Sequence, residues 1–481
     1  SLQRHEFDGS KNAGYFNVRP YVYENAAGEI FNFVNTCSQD RAYVTTMNTV
    51  VHLANSVRQK ISATDKYDRS WFPKLAAKIA VKAEVREPGT DETKTRVFFI
   101  MCMIKLLIDK EIFTDAFLAC KNKDMCSIGF SWCDGGAHKL ALEMNAWDPK
   151  WAWFCSDISK LDQRLHAWLL TFIFVCFLTY YGKTECPENY DVLRAFACFS
   201  SDDAAATLVK WLGDSYRVIV GVMFSGLFGT SIGDTVAVIL AIKVAIRQFL
   251  RINGFKSGSV PQPKIKIYGD NIFIGWRCDL LDRFVNSETG FASGFLGKFL
   301  QEVWGMPIKV DETSYHEKFF TEVDIVCDPE TNLSRVNVLY QGPIFLKRSF
   351  LEKRFGDLVW AVPFRPSSDY YFKSITTNQT YEHNNLWIAR WAGLMLDSMG
   401  TNVEAYDFLT FLMGRFLNDY RNASGDESDM GALLANAVKE VPEYWDNRVR
   451  KLGLNPGELT RLLLCPSLLR AKFSPDFAPI Y

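Results

Sequence analysis

No two cysteines stand in Cys-x-x-Cys spacing. The 12 cysteines are scattered from Cys37 to Cys465, which excludes zinc ribbons and dithiol redox motifs and reads as buried free thiols in a reducing compartment. Long apolar runs are missing too. The longest, residues 167–181 (AWLLTFIFVCFLTYY), falls short of the roughly 20 residues that span a bilayer and reads as a buried core helix. Residues 1–12 are polar, with no apolar leader, so the expectation is a soluble, cytoplasmic protein without a transmembrane segment. Neither sign of charge dominates. With a formal net charge of −1, any nucleic-acid surface has to be a local patch. Walker and Rossmann glycine fingerprints, internal repeats and low-complexity tracts are all lacking.

What is present is globular. Hydrophobic residues make up 48% and charged residues 23% of 481 positions, with 37 Phe. That length and composition imply a heavily packed interior divided into two to four subdomains.

The most informative stretch is residues 264–275 (KIKIYGDNIFIG). Ile265 and Ile267 alternate into Tyr268-Gly269-Asp270-Asn271, and Ile272, Phe273 and Ile274 leave it. Two short strands around a two-residue Gly-Asp turn form the pattern of a β-hairpin. Its tip carries a carboxylate with an amide beside it. That is a rigid mount for a metal ligand, and equally the composition of an ordinary surface turn.

Elsewhere the pattern is mixed. In residues 74–86 (KLAAKIAVKAEVR), Lys74, Lys78, Lys82 and Arg86 recur every fourth residue, which on a helix makes one basic stripe. Pro88-Gly89 breaks the element, and Lys94-Thr95-Arg96 leads into an apolar strand or helix at 97–103. This run of cations suits a channel that admits phosphates. Residues 152–155 read as a strand ending at Asp157, with Asp162 in the following turn. Acids at strand ends can bind hard cations through oxygen, and Asp162 could also cap a helix. Residues 183–214 are more polar, with Pro187 and Ser200-Ser201-Asp202-Asp203, and read as an excursion from the main body.

Residues 224–235 (FSGLFGTSIGDT) read as a Ser/Gly/Thr loop entering an apolar helix at 236–250. Hydroxyls and free N–H groups at a helix start favour phosphate or ribose contacts, or serve as a simple cap. Beyond the hairpin we expect a helix at 292–303, a turn at Gly305-Met306-Pro307-Ile308 and a hairpin at 323–338. An apolar strand at 341–350 would follow, carrying Lys347 and Arg348. The remainder reads as mainly helical, for example at 386–399 and 405–418.

In this order the pieces resemble the motifs of viral RNA-dependent RNA polymerases, most closely the picornavirus-like and calicivirus-like enzymes. Asp157-x4-Asp162 is similar to motif A. Ser225-Gly226-x3-Thr230-Ser231-x2-Asp234 is similar to motif B. Tyr268-Gly269-Asp270-Asn271 stands where motif C has Tyr-Gly-Asp-Asp, giving a Gly-Asp-Asn variant. Phe345-Leu346-Lys347-Arg348-x-Phe350 is close to motif E. Lys82-x-Glu84-x-Arg86 with Lys94-Thr95-Arg96 resembles motif F, and residues 10–15, with Gly14 and Tyr15, faintly resemble motif G.

The resemblance implies an α+β right-hand polymerase. Fingers would occupy 1–150, with incomplete N-terminal fingertips. A palm with an antiparallel sheet would occupy 151–350, including a fingers insertion at about 183–215, and a helical thumb 351–481. It implies template-directed nucleotidyl transfer from NTPs to an RNA 3′-OH by two divalent ions, Mg²⁺ or alternatively Mn²⁺. Asp157 and Asp270 would hold the metals, with the Ile158 carbonyl as a further oxygen and Asn271 beside them. Lys82, Arg86, Lys94 and Arg96 would face the triphosphate. Asp162, Ser225, Gly226, Thr230 and Asp234 would select ribose through its 2′-OH. Gly14, Tyr15, Lys347 and Arg348 would contact RNA. The general acid of motif D falls to Lys309, with Lys318 in reserve.

Two departures stand out. Asn271 removes one negative charge, which would weaken binding of an ion or shift preference toward Mn²⁺, and Asp234 stands where the picornavirus-like enzymes have Asn. If residues 10–15 are motif G, the resemblance implies that the segment linking fingers to thumb is largely outside this sequence, the chain being a fragment or processed product or a partner supplying the missing part. RNA, NTPs and other viral proteins are the expected partners, in a replication complex in the host cytoplasm. A reverse transcriptase fits less well because of motif E. The alternative from another class is a catalytically silent, polymerase-shaped RNA-binding scaffold.

Overall fold

The structure is a computed structural model. It describes residues 22–24, 30–32, 39–64, 66–82, 96–132, 135–178, 190–210, 215–223, 227–256, 258–286, 290–327, 329, 334–355, 357–376, 384–398 and 401–424. Strands β1 (Val22–Glu24) and β2 (Ile30–Asn32) pair antiparallel ahead of helix α1 (Gln39–Thr64). The basic segment expected as a helix is instead strand β3 (Ala76–Lys82), paired antiparallel with β4 (Arg96–Ile100). A four-residue spacing satisfies the strand period of two as well as the helical period, and β-branched Ile79 and Val81 tip the choice. Helices α2 (Met103–Cys120) and α3 (Gly136–Glu143) lead to β5 (Trp151–Asp157).

Helix α4 (Ala167–Leu178) is the long apolar run. It is buried on one side only: Leu169, Leu170 and Ile173 lie in the core, whereas Trp168, Phe172 and Val175 are exposed. The polar stretch read as an excursion comes next. It folds into α5 (Tyr190–Ala205), β6 (Ala206–Lys210) and β7 (Tyr216–Val220). Val192, Ala195, Phe196 and Phe199 repeat at helical spacing and are buried. Phe199 stacks on Phe72 at 4.5 Å between ring centres. Strand β6 then pairs in parallel with β3, giving the sheet β4-β3-β6-β7.

Helix α6 (Thr230–Ile252) starts six residues before the expected 236. Gly229, in left-handed backbone with φ 76°, turns the chain directly into it. The expected hairpin is present as β8 (Lys264–Tyr268) and β9 (Asn271–Arg277). Helices α7 (Cys278–Val285) and α8 (Phe295–Trp304), strand β10 (Ser314–His316) and the hairpin of β11 (Glu322–Cys327) and β12 (Ser334–Tyr340) come next. Residues 341–348 are not a strand. Phe345 and Arg348 exchange backbone hydrogen bonds of 2.8 and 3.1 Å around Leu346 and Lys347. The strand there is β13 (Ser349–Phe355), paired with β14 (Leu358–Phe364). This hairpin precedes the helices α9 (Ser367–Ile375), α10 (Asn384–Ser398) and α11 (Val403–Ser424). The boundary placed at residue 350 therefore falls inside β13.

The central antiparallel sheet has the order β10-β5-β9-β8. It is buried on both faces, which is why β5 and β9 are almost continuously apolar instead of alternating. Ala152, Phe154, Ile272, Ile274 and Trp276 belong to one core, with residues of α6, α7 and α8 such as Phe249, Leu281 and Leu300. Trp153, Cys155 and Phe273 belong to a second, with Phe319, Phe345 and Phe350. Among the described residues no helix is long and apolar enough to cross a membrane.

Candidate active site

The two strand-end acids predicted to act together are brought together. In the β5–β9 register Asp157 lies opposite Asn271, and Tyr268 pairs with Asn271 across the two-residue turn Gly269-Asp270. Gly269 has φ 61° and Asp270 does not share that left-handed backbone, the pattern of a II′ hairpin turn with Gly at its first central position. Ile158 N–H donates to the Asp270 carbonyl at 3.1 Å, and Lys309 N–H donates to the Asp157 carbonyl at 2.7 Å. Three chain segments are thereby stitched at one sheet end, while the Asp270 side chain is exposed. Asn271 Nδ2 donates to Asp270 Oδ1 at 3.1 Å, so the amide steadies the carboxylate beside it.

Electrostatically the pair is strained. Burial pushes the Asp157 carboxyl up to about 6, and the Asp270 charge adds to it. Lys309 and Lys347 pull the other way and Asp311 adds to the rise. The negative charge at this sheet end is therefore incompletely balanced by the protein.

Helix α6 holds the turn from behind. The Thr235 hydroxyl donates to the Ser231 carbonyl at 2.6 Å and accepts the Gly269 N–H at 2.8 Å. Sequence reading missed Thr235, although a buried hydroxyl one position after Asp234 was in view. Asp234 has its Oδ1 buried without a hydrogen-bond partner among the described residues. Burial holds its carboxyl well above the usual range, and the charges of Asp162 and then Asp270 add to this. Asp162 lies in a 3-10 turn, Leu161–Gln163, and its carbonyl accepts the Met223 N–H at 2.8 Å. Helix α4 begins only at Ala167, so Asp162 is not its N-cap. The hydroxyl of Thr230, at the start of α6, donates to the Leu227 carbonyl at 2.8 Å.

The cations divide. Lys309 acts on Asp157 and its ammonium pairs with Glu312. Lys318 instead pairs with Glu322 on the exposed surface at 3.0 Å, and is not among the charges that shift Asp157. Lys347 is exposed and acts on Asp157. Arg348, expected to contact RNA, has its guanidinium in an ion pair with Asp397, with its side chain only 14% exposed. In the β3–β4 ladder Lys82 is the backbone partner of Arg96. Gly14, Tyr15, Arg86, Lys94, Ser225 and Gly226 lie outside the described residues.

Among the described residues, no group of three or more His, Cys, Asp or Glu side chains could hold a metal ion. The donor set at the sheet end is the Asp157 and Asp270 carboxylates. This fits a hard cation such as Mg²⁺, which takes one or two carboxylates together with substrate oxygens, and the incompletely balanced charge at Asp157 favours one.

No protein-family model matches the chain, and no curated protein does. Its structural neighbours are viral RNA-dependent RNA polymerases. It is similar to an insertion-loop deletion mutant of the polymerase of a human picobirnavirus, with TM-score 0.53 and 10% identity over 80% of this chain and 64% of that one. A second structure of that polymerase gives TM-score 0.49 and 12% identity over 80% and 61%. The chain thus spans less than two thirds of the length of these neighbours. The likeness in the first comparison is one of fold, helices packed with mainly antiparallel sheets.

Proposed function

We propose that the chain is an RNA-directed RNA polymerase of an RNA virus, joining NTPs to an RNA 3′-OH as an RNA template directs. The observation that carries the reading is the pairing of Asp157 with Asn271, next to the Gly269-Asp270 turn that α6 braces, within a polymerase-like fold. Fingers, palm and thumb would follow the divisions 1–150, 151–350 and 351–481. The picornavirus-like and calicivirus-like enzymes are the group whose motifs it resembles most closely.

Two Mg²⁺ ions, or Mn²⁺ in their place, would be held by Asp157, Asp270 and the Ile158 carbonyl, and would lower the barrier by activating the 3′-oxygen and neutralising the triphosphate. Asn271 keeps the Asp270 carboxylate oriented. Asp162, Ser225, Gly226, Thr230 and Asp234 would line the ribose side. There the orphaned Asp234 oxygen would be satisfied by a ribose hydroxyl, and a 2′-deoxy analogue would leave it unpaired. Lys82, Arg86, Lys94 and Arg96 would face the triphosphate. Lys309, backbone-bonded to Asp157, gives its ammonium proton to the departing pyrophosphate. Gly14 and Tyr15 would contact RNA. RNA and NTPs are the partners, with other viral proteins, at replication complexes in the host cytoplasm.

The test is incorporation of labelled ribonucleotide on a primed homopolymeric RNA template, with Mg²⁺ and separately with Mn²⁺, beside Asp270→Ala. Activity that disappears in the variant supports the reading. Activity surviving in the variant means that the site is elsewhere. A folded, RNA-binding chain with no activity would be a polymerase-shaped scaffold.

A further inference from the structure

The turn that presents Asp270 follows β8, the end strand of the central sheet, so within that sheet β8 pairs with β9 alone. An end strand leaves its outward backbone groups to be satisfied by something other than a sheet neighbour. Here the segment after α2 does so. Ile267, three residues before Asp270, donates its N–H to the Met125 carbonyl at 2.8 Å and accepts the Ser127 N–H at 2.8 Å. Cys126 thereby lies in parallel register with Ile267.

This segment is closed on itself and anchored beyond. The Asn122 N–H donates to the Ile128 carbonyl and the Cys126 N–H to the Lys123 carbonyl, each at 2.8 Å. Asn122 and Asp124 take left-handed backbone, with φ 50° and 47°, which Asn and Asp tolerate better than other residues with a Cβ. Farther along, Phe130 and Trp132 pack on the core that holds Phe273 and Phe345. Their ring centres are 5.0 Å apart, and Trp132 stands 5.2 Å from Phe350 of β13. Residues 122–132 are therefore a strap along the outer edge of β8.

Lys266 fastens the strap. Its side chain is only 14% exposed. The ammonium donates to the Asp124 carbonyl at 2.7 Å and pairs at 2.6 Å with Glu143, the last residue of α3. An ammonium has three donors, so one side chain can serve both acceptors, and charge-assisted bonds of this kind are the strong ones. The strand that feeds the turn, the strap and α3 meet at this one group, four residues before Asp270.

We propose that Lys266 is a positioning residue for the catalytic turn: by fastening the strap and α3 to β8, it fixes where Asp270 stands relative to Asp157. The inference rests on the polymerase reading above, in which these two carboxylates share the metal ions. Thr235 holds the turn itself from α6, and Lys266 holds the strand that leads into it.

Hydrogen–deuterium exchange and incorporation kinetics, read side by side, test this. Lys266→Met keeps the aliphatic stem and deletes the ammonium. Exchange in peptides covering residues 122–130 and 264–270 is expected to quicken on the order of tenfold, with that of α6 unchanged. In the incorporation assay kcat is expected to fall on the order of tenfold to a hundredfold. The Mg²⁺ concentration for half-maximal rate should rise, at an unchanged KM for nucleotide. A merely structural loss would quicken exchange throughout and leave the Mg²⁺ dependence of the folded molecules as it was. Lys266→Arg, which can reach both acceptors, should recover most of the rate. Glu143→Gln removes the ion pair but not the Asp124 bond, should fall between, and tests the idea should Lys266→Met not fold. Faster exchange at the strap with unchanged kcat and Mg²⁺ dependence overturns the positioning role. So does unchanged exchange in an active Lys266→Met enzyme. An unmodified chain that binds RNA but incorporates nothing sinks the polymerase reading, and the positioning role with it.

Discussion

The Thr235 hydroxyl accepts the Gly269 N–H at 2.8 Å while donating to the Ser231 carbonyl at 2.6 Å. Both hydrogen-bonding roles of this buried side chain are filled, and one of them fixes the turn that presents Asp270. Thr235→Val keeps the shape and deletes the acceptor, leaving the Gly269 amide without its partner. We expect a loss of about 1–3 kcal/mol. In the incorporation assay kcat should fall on the order of tenfold to a hundredfold, because small displacements of a reacting group are costly. Thr235→Ser should recover most of both. Stable protein with an unchanged kcat in Thr235→Val would show that the bond does not position Asp270.

Asn271 lies opposite Asp157 and donates to Asp270. Asn271→Asp places a third carboxylate at the sheet end and removes that donor. More negative charge favours divalent-ion binding, so the Mg²⁺ concentration for half-maximal incorporation should fall. The ratio of Mn²⁺ to Mg²⁺ rates should move toward one. Titration of both metals against both proteins checks it, and an identical metal preference in the two sinks the idea.

The hairpin of β8 and β9 was legible in the sequence because alternation and turn chemistry are local, and Gly269-Asp270 fits a II′ turn with no help from distant contacts. The strand β3 was not, because cations every fourth residue satisfy both periods and a sheet partner far along the chain decides. Helix α5 was not named within the polar stretch, although Val192, Ala195, Phe196 and Phe199 carry the helical pattern. The acids Asp157 and Asp270 could be named from sequence. The pairing of Arg348 with Asp397 could not, since nothing local marks a partner 49 positions away.

Gly229 precedes α6 with φ 76°, and a Cβ there would overlap the Phe117 ring. Phe117 is held by Phe113, Phe177 and Phe228 at ring distances of 5.9, 4.7 and 5.2 Å. It has no free direction in which to yield. Gly229→Ala therefore combines left-handed strain with overpacking, and should destabilise by about 3 kcal/mol. Gly233→Ala meets only the flexible end of Met223 and should cost less. Chemical unfolding of the two variants checks the order, and equal losses would contradict it.

Asp203 offers a pH test remote from the carboxylate pair. Its side chain is 4% exposed, and burial pushes its carboxyl up to about 6 from 3.8. Lys105 and Arg69 pull it down while Asp109 and Asp202 add to the rise. In the unfolded chain it ionises near its ordinary value. Between about pH 4 and pH 6 the unfolded chain therefore releases a proton that the folded protein still holds, so stability falls as pH rises through this window. Above it the loss is complete. Asp203→Asn has no proton to lose, so the variant should gain stability relative to the parent across that window, by on the order of 2–3 kcal/mol for a gap of this size. The 3.7 Å pair with half-exposed Arg69 is lost as well, which shifts the variant by a constant that does not depend on pH once Asp203 is ionised. Asp157 and Asp234, whose carboxyls are raised in the same sense, are present in both proteins and cancel in the difference. Thermal unfolding of both proteins at pH 4, 5, 6 and 7.5 measures it, and a stability difference flat over that range would show that Asp203 ionises no later in the folded protein than in the unfolded chain.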